Sequence, residues 1–421
     1  MAMQRVIVHS DINHCYAQIE EMRRPELQNI PMAVGGSVEK RNGIILAKND
    51  KAKACGVTTG EALHTARAKC RDLVILKPDY EAYTYYTEKV KDIYRKYTDR
   101  VESFGLDEAW MDLSHSQLLF GDGVELAKKI QQEVWDTLGL KVSMGVSYNK
   151  VFAKMASDFF KDKGFSVVTE EDYQEIIWPL PVGDLLMVGS RIRSRLAYMG
   201  IHTIGDLARC DGPALLREFG KYGRLLWDYA NGRDDSEVHL VGYTRPVKSV
   251  GNSKTLVKDV TTFTQLYEVF EVLSQSVAAR LREQNLRGRV VSIWLRSTDL
   301  SGKSLQKRLV YPTNLAKEIL ECAIELVWKA HLEEISFRSI GLHVSELSEE
   351  SGFEVMDLFS EPDARSKQKK LESVLQNIRE RYGYQSCRYL GAKIDPDLVD
   401  FDPLSILHQI HPIGMLDGPL K

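Results

Sequence analysis

Apolar and polar positions follow several distinct rhythms along the chain. Residues 5–11 (RVIVHSD) form a short apolar run that stops on an acid, and INHCYAQIEEMRR (12–24) then has helical spacing before Pro25. VESFGLDEAWMDL (101–113) sets apolar residues on both sides of a polar Leu-Asp-Glu-Ala centre, which predicts two strands joined by a tight turn with exposed acids. VELAKKIQQEVWDTL (124–138) predicts an amphipathic helix, KVSMGVSYN (141–149) a strand, and KVFAKMASDFFK (150–161) another helix. The resulting β-α-β-β-α-β order predicts the split-βαβ arrangement of a ferredoxin-like layer.

Elsewhere the pattern is more broken. Residues 25–75 hold short Gly-punctuated stretches, as a small inserted subdomain would. Within 166–232, VGSRIRSRLAYMGIHTIGDLA has Gly189 and Gly200 bracketing one helix with a second behind it, a helix-hairpin-helix pattern. NGRDDSEVHLVGYTRP (231–246) is polar and turn-rich and reads as an interdomain linker. A single core stops growing near roughly 250–300 residues, so a chain of 421 residues implies several domains.

Composition narrows the class. With 43% hydrophobic and 27% charged residues the chain has the balance of a globular protein, not of a disordered or fibrous one. Its six cysteines are scattered without a C-x-x-C pair, so neither a zinc site nor a disulfide framework is expected, and a reducing cytoplasm fits. The first residues turn polar before a secretory apolar region forms and no later run approaches a membrane span, so no membrane association is expected. A net charge of −3 is no nucleic-acid signal by itself, but its distribution is uneven. Residues 243–348 carry 15 basic against 11 acidic side chains, and residues 349–421 carry 9 against 13.

The chemistry concentrates in three acids. Asp11 and the pair Asp107-Glu108 are far apart in sequence, yet the strand order brings both to the ends of neighbouring strands. Hard cations such as Mg²⁺ take oxygen ligands, and two such ions roughly 3.5–4 Å apart can activate an attacking 3′-hydroxyl and steady a pyrophosphate leaving group. The main-chain carbonyl of Ile12 offers a further oxygen.

SDINHCYAQIEE, ESFGLDEAWMDL and VSYNKVFAKMASDFFK, in this order and at this spacing, resemble the three palm motifs of the Y-family DNA polymerases, in the bacterial branch of polymerase IV and UmuC-like members. The resemblance covers about residues 5–348. It implies an α+β, multidomain right-hand polymerase: a ferredoxin-like palm (1–24 and 76–165), small fingers (25–75), a helical thumb (166–232), an α/β little finger (243–348) and a C-terminal tail (349–421). The activity implied is low-fidelity, template-directed DNA synthesis that extends a primer 3′ end with deoxynucleoside triphosphates and bypasses damaged bases. The expected partners are primer–template DNA and those triphosphates, and a monomer is expected.

Carried over position by position, the resemblance makes Asp11, Asp107 and Glu108 the catalytic metal ligands, with Ile12 assisting, for two Mg²⁺ ions or Mn²⁺ in their place. Tyr16 falls on the ring that excludes a ribose 2′-hydroxyl, and Lys161 on the triphosphate-binding lysine. The fingers depart from the family's N-Y-E-A-R-x-x-G-V: Asp50 stands where the Tyr would be, and Lys53 keeps the charge of the Arg without its bidentate fork. In the hairpin, the usual G-[IV]-G reads Met187-Val188-Gly189, which leaves Gly189 as the phosphate-binding glycine. Basic residues interleaved with the strands of 243–348, namely Lys248, Lys254, Arg287, Arg289, Arg296 and Arg338, are candidates for the DNA backbone. Beyond them, FEVMDLFSEPD resembles the Q-L-x-L-F motif that docks on the sliding clamp, with Met356, Leu358 and Phe359 as anchors and Val355 where the Gln would be. Two other readings compete: a nucleotidyl cyclase, which uses similar palm acids but has no thumb or little finger, and a catalytically silent DNA-repair scaffold.

Overall fold

The computed structural model describes residues 5–36, 43–159, 164–244, 246–332, 336–349, 362–383, 386–387 and 398. The strands are β1 (Ile7–Ile12), β2 (Met32–Gly35), β3 (Ile45–Lys48), β4 (Val74–Leu76), β5 (Val101–Phe104), β6 (Glu108–Asp112), β7 (Val142–Ser147), β8 (Phe165–Val168), β9 (Ser249–Val260), β10 (Leu286–Ser297), β11 (Gly302–Thr313) and β12 (Phe337–Glu349). They form three sheets, ordered β5-β6-β1-β7-β8, β3-β2-β4 and β11-β10-β12-β9. Two compact units part between Tyr243 and Thr244, the first holding the five- and three-stranded sheets and the second the four-stranded one.

In the five-stranded sheet, β1 runs antiparallel to β6 and β7, and β5 antiparallel to β6. That is the expected ferredoxin-like order, extended by β8 parallel to β7. All six residues of β1 are buried because both faces of the sheet are covered. Val8 packs with Val90, Ile93, Leu126 and Ile130 of the helices Tyr80–Arg95 and Gly123–Leu138. Ile7 faces the other way, toward Val151, Phe152 and Met155 of the helix Lys150–Phe159. This helix comes unusually close at Gly145, where an added Cβ would stand 2.1 Å from the Ala153 carbonyl oxygen and 2.3 Å from the Ser157 nitrogen. Only glycine permits that approach.

The helices Ser190–Tyr198, Ile204–Arg209, Gly212–Phe219 and Lys221–Ala230 share a core through Leu196, Ile204, Leu215 and Leu226. Gly189 caps the first of them, and Thr203 with Asp206 forms a capping box on the second. Met187 adopts φ 75, the left-handed region that the missing glycine would enter freely. The Tyr222 hydroxyl donates to the Met187 carbonyl at 2.7 Å and helps hold the turn.

Residues 231–243, which the sequence presents as a linker, are instead stapled to the first unit. Val238 is buried, the Lys150 amide donates to Asp234 Oδ2 at 3.2 Å, and the His239 amide donates to Glu102 Oε2 at 3.1 Å. Their polarity supplies these contacts instead of solvating a free strap.

In the second unit, Val250, Val291, Ile293, Leu295, Ile340, Leu342 and Val344 line the face of the four-stranded sheet that packs on the helices Phe263–Glu283 and Ala316–Lys329. The helix Pro362–Tyr382 also docks there, although the sequence beyond 349 promises little burial. Glu372, 4% exposed, accepts from the backbone amides of Ala316 (2.8 Å) and Lys317 (3.3 Å) and pairs with Arg282 at 2.9 Å. A carboxylate is thus brought to a helix start that has no cap from its own side chains. The six cysteines are free. No helix among the described residues is long and apolar enough to cross a membrane.

Candidate active site

The acids lie where β1 ends and β6 begins. Asp11 lies opposite Glu108 in register, and Ser143 of β7 flanks it on the other side. The Ile12 amide donates to the Asp107 carbonyl at 3.2 Å, which closes the turn against β1. Asp11 is 6% exposed. Pairing of opposite residues puts Asp11 and Glu108 on one face of the sheet, together with His9 and Trp110.

Glu108 is held by two side chains that the periodicity of the sequence does not single out as its partners. Lys154, one turn into the helix Lys150–Phe159, forms an ion pair with Glu108 Oε2, and His9 Nε2 stands 3.1 Å from the same oxygen. The Nε2 contact is one of proximity and not an aligned hydrogen bond. His9 Nδ1 is 2.7 Å from Ser157 Oγ, so the same helix holds both ends of this chain. Burial works to raise the Glu108 carboxyl, but His9 and Lys154 outweigh it and hold the group down to about 2. Burial likewise draws the His9 imidazole below its ordinary value, against the pull of Glu108. Below this layer, buried Lys150 pairs with Glu102 at 2.6 Å and lies 4.7 Å from the Trp110 ring. The signal for Lys154 was present: Lys150, Lys154 and Ser157 recur at helical spacing on the face that meets Gly145.

The donor set of Asp11, Asp107, Glu108 and the Ile12 carbonyl is all oxygen, which fits a hard divalent cation. Among the described residues no three such side chains are already gathered at ligating separation. Lys154 pairs with Glu108, and like-charged carboxylates repel one another without a cation between them.

A cavity of about 270 Å³ opens beside the acids, lined by His14, Cys15, Tyr16 and Asp107 from one side and Leu46, Ala47, Lys48 and Thr59 from the other. Tyr16 stacks on Tyr83 at 4.4 Å and meets Tyr80 edge-on at 5.9 Å, which fixes the ring at the cavity wall. Burial, then the charge of Asp107, pushes its phenol above the ordinary range. A second, larger cavity of about 830 Å³ shares His14 and is lined by Asp50, Lys51, Lys53, Lys141, Glu21 and Trp135, among others. Lys161 lies outside the described residues, as do Met356, Leu358 and Phe359.

In the second unit the register separates the basic candidates. Arg296 pairs with Ser339 and Gly302 on the face away from the helices, beside Trp294, whose ring lies against Gly341 and Gly302. Lys254 lies opposite Ile340, on the helix side. Arg287 and Arg289 flank the irregularity at Gly288, and Arg289 Nη2 donates to the Val310 carbonyl at 2.7 Å. Arg338 sits at the irregularity between Phe337 and Ser339, and Lys248 is exposed just before β9.

Residues 10–158 match the impB/mucB/samB family and residues 247–358 its C-terminal domain. The chain is 44% identical over 386 residues to DNA polymerase IV of Acetivibrio thermocellus, covering 92% of this chain and 97% of that protein. It is 34% identical to DNA polymerase IV 2 of Bacillus subtilis, over 91% of this chain and 93% of that one. Among solved structures, a Y-family DNA polymerase chimera superposes with a TM-score of 0.69 at 21% identity, covering 81% of this chain and 98% of the other. A Dbh ternary complex aligns over the same shares with a TM-score of 0.55.

Proposed function

The chain belongs to the impB/mucB/samB family, the Y-family DNA polymerases, and on that premise we propose that it copies damaged templates with Asp11, Asp107 and Glu108 as its metal-binding acids. It is a DNA-directed DNA polymerase of the low-fidelity, translesion kind. The observation that carries the site assignment is the register: Asp11 opposite Glu108, with Asp107 hydrogen-bonded to Ile12 beside them, at the mouth of a cavity walled by Tyr16.

Two Mg²⁺ ions, or Mn²⁺ in their place, would be held by the three carboxylates with the Ile12 carbonyl, and would lend Lewis-acid stabilisation to attack by the primer 3′-hydroxyl and departure of pyrophosphate. Tyr16 fills the space that a ribose 2′-hydroxyl would need. Lys154 and His9 hold Glu108 at the start of β6, so its carboxylate is ionised and oriented before substrate arrives. Lys53, and Lys161 beyond the acids, carry charge toward the triphosphate.

The domain boundaries follow the same reading: palm in 1–24 and 76–165, fingers in 25–75, thumb in 166–232 and little finger in 243–348. Gly189 and the basic residues Lys248, Arg287, Arg289, Arg296 and Arg338 contact the DNA backbone, whereas Lys254, expected among them, stands on the helix side of the sheet and is left out, and Met356, Leu358 and Phe359 anchor a sliding clamp. The protein acts as a monomer in the cytoplasm. The test is primer extension with Mg²⁺ on undamaged and damaged templates, comparing wild type with Asp107→Ala. Extension by wild type and none by the variant is expected; equal extension would exclude the site.

A further inference from the structure

The fingers lack the Tyr and Arg of the N-Y-E-A-R pattern, and Asp50 brings a negative charge to a region that must receive a triphosphate. A cation absent from that pattern stands one residue before it. Lys48 ends β3 and lines the cavity of about 270 Å³ across from Asp107 and Tyr16. We propose that Lys48 is a phosphate-contacting residue for the incoming deoxynucleoside triphosphate, supplying from the end of β3 the positive charge that the altered fingers motif has lost. The inference rests on the polymerase reading above.

Three observations support it. First, Lys48 is placed by a rigid support. The Asn49 side chain accepts from the amides of Met32 and Ala52, both at 3.0 Å, and donates to the Ile30 carbonyl at 2.9 Å and Glu21 Oε1 at 2.8 Å. All four of its bonding positions are used, so the end of β3 and the start of the helix Asp50–Ala54 are locked together. Second, the ammonium is held toward the cavity wall by a weak partner: it donates to Thr59 Oγ1 at 3.1 Å, and Thr59 lines the same cavity. A hydroxyl brings no countercharge, and among the described residues the carboxylate that acts on Lys48, Glu61, is itself paired with Lys69 at 2.6 Å. Third, the surroundings disfavour the bare cation. Partial burial, and after it the charge of Lys53, draw the Lys48 amine below its ordinary value. A phosphate entering between Lys48 and Asp107's side of the cavity would relieve both effects, and charge-assisted bonds to phosphate oxygens are among the strong ones.

The test is equilibrium binding of the correct deoxynucleoside triphosphate to the enzyme on a dideoxy-terminated primer–template, so that no transfer occurs. Wild type, Lys48→Met and Lys48→Arg are compared, each checked first for unchanged affinity for the primer–template itself. Lys48→Met is expected to weaken triphosphate binding about tenfold or more, and Lys48→Arg to retain most of it. The loss should vanish when the deoxynucleoside without phosphates is the probe. Triphosphate affinity in Lys48→Met within twofold of wild type would overturn the role of Lys48 and leave the polymerase reading standing. Failure of wild type to bind any triphosphate would overturn both.

Discussion

The five-stranded sheet of the first unit buries ionisable groups at its centre, with His9 and Asp11 nearly inaccessible beside Ser10 and Ser143, whereas the four-stranded sheet of the second unit buries, among the described residues, only small hydroxyls such as Ser292 and Ser339 and carries Arg287, Arg289, Arg296 and Arg338 at irregularities and on the face away from the helices. Both sheets are antiparallel around their central strands and both pack on helices. They differ in what covers the second face. Helices close both sides of the first sheet, so every polar side chain there must find a partner, and those partners fix its geometry. On the second sheet the basic side chains find backbone acceptors, Arg296 on the Leu300 carbonyl at 3.1 Å and Arg289 on the Val310 carbonyl at 2.7 Å, and no single one of them organises the others. Chemistry therefore belongs to a few residues of the first unit, and adhesion is spread over many residues of the second.

That contrast is open to being broken. The largest effect is expected for Asp11→Ala, which should lower single-turnover primer extension about a thousandfold or more while leaving DNA affinity within a few-fold. Next comes Glu372→Ala. It takes the carboxylate from Arg282, which keeps the neutral acceptors of the Asn314 carbonyl and Gln376, and it uncaps the helix Ala316–Lys329, so urea unfolding should show a loss of about 3 kcal/mol. If catalysis at saturating DNA fell with it, the two units would not be separable in the way argued. Gly145→Ala should cost about 2 kcal/mol, because the added carbon meets backbone of the helix Lys150–Phe159 and not a movable side chain. Through Lys154 and Ser157 it should also slow extension, and an unaltered rate would remove that helix from the positioning of Glu108.

A smaller change is expected from Tyr16→Ala, which should erode discrimination against ribonucleotides by about tenfold or more in single-nucleotide insertion, since the ring gives up the space for a 2′-hydroxyl. Unchanged sugar selectivity would return Tyr16 to a packing role beside Tyr83. Least of all, Arg296→Ala should weaken DNA binding only a few-fold and reduce the salt dependence by about one unit of slope. A collapse of binding on this one change would concentrate in one residue what is argued here to be distributed.

Much of the first unit was legible because its elements are short and strongly patterned. The run ending at Asp11, the hairpin around Asp107 and Glu108, and the helices Gly123–Leu138 and Lys150–Phe159 follow directly from periodicity, and the strand order follows from them. Less legible were the long-range polar contacts. Helical spacing puts Lys150, Lys154 and Ser157 on one face but does not name their partners, since the pairs His9–Ser157 and Lys154–Glu108 exist only after the helix has settled on Gly145. Residues 231–243 misled for a related reason: a polar, turn-rich stretch reads as a linker unless Lys150 and Glu102 are known to need partners. Lys48 carries no signal in the sequence because it lies outside the altered fingers motif, on the strand leading into it. The left-handed Met187 shows the converse, a backbone shape that outlasts the loss of the glycine that would favour it.

The most direct measurement is the single-turnover rate of primer extension at saturating primer–template for two variants side by side: Asp107→Asn, and a triple charge reversal of Arg287, Arg296 and Arg338. Asp107→Asn should bind DNA normally and extend at a thousandth of the wild-type rate or less, while the triple reversal should need far more DNA to saturate and then approach the wild-type rate. Near-normal extension by Asp107→Asn, or a triple variant that stays slow at saturation, would contradict the assignment of chemistry to the acids of the first unit.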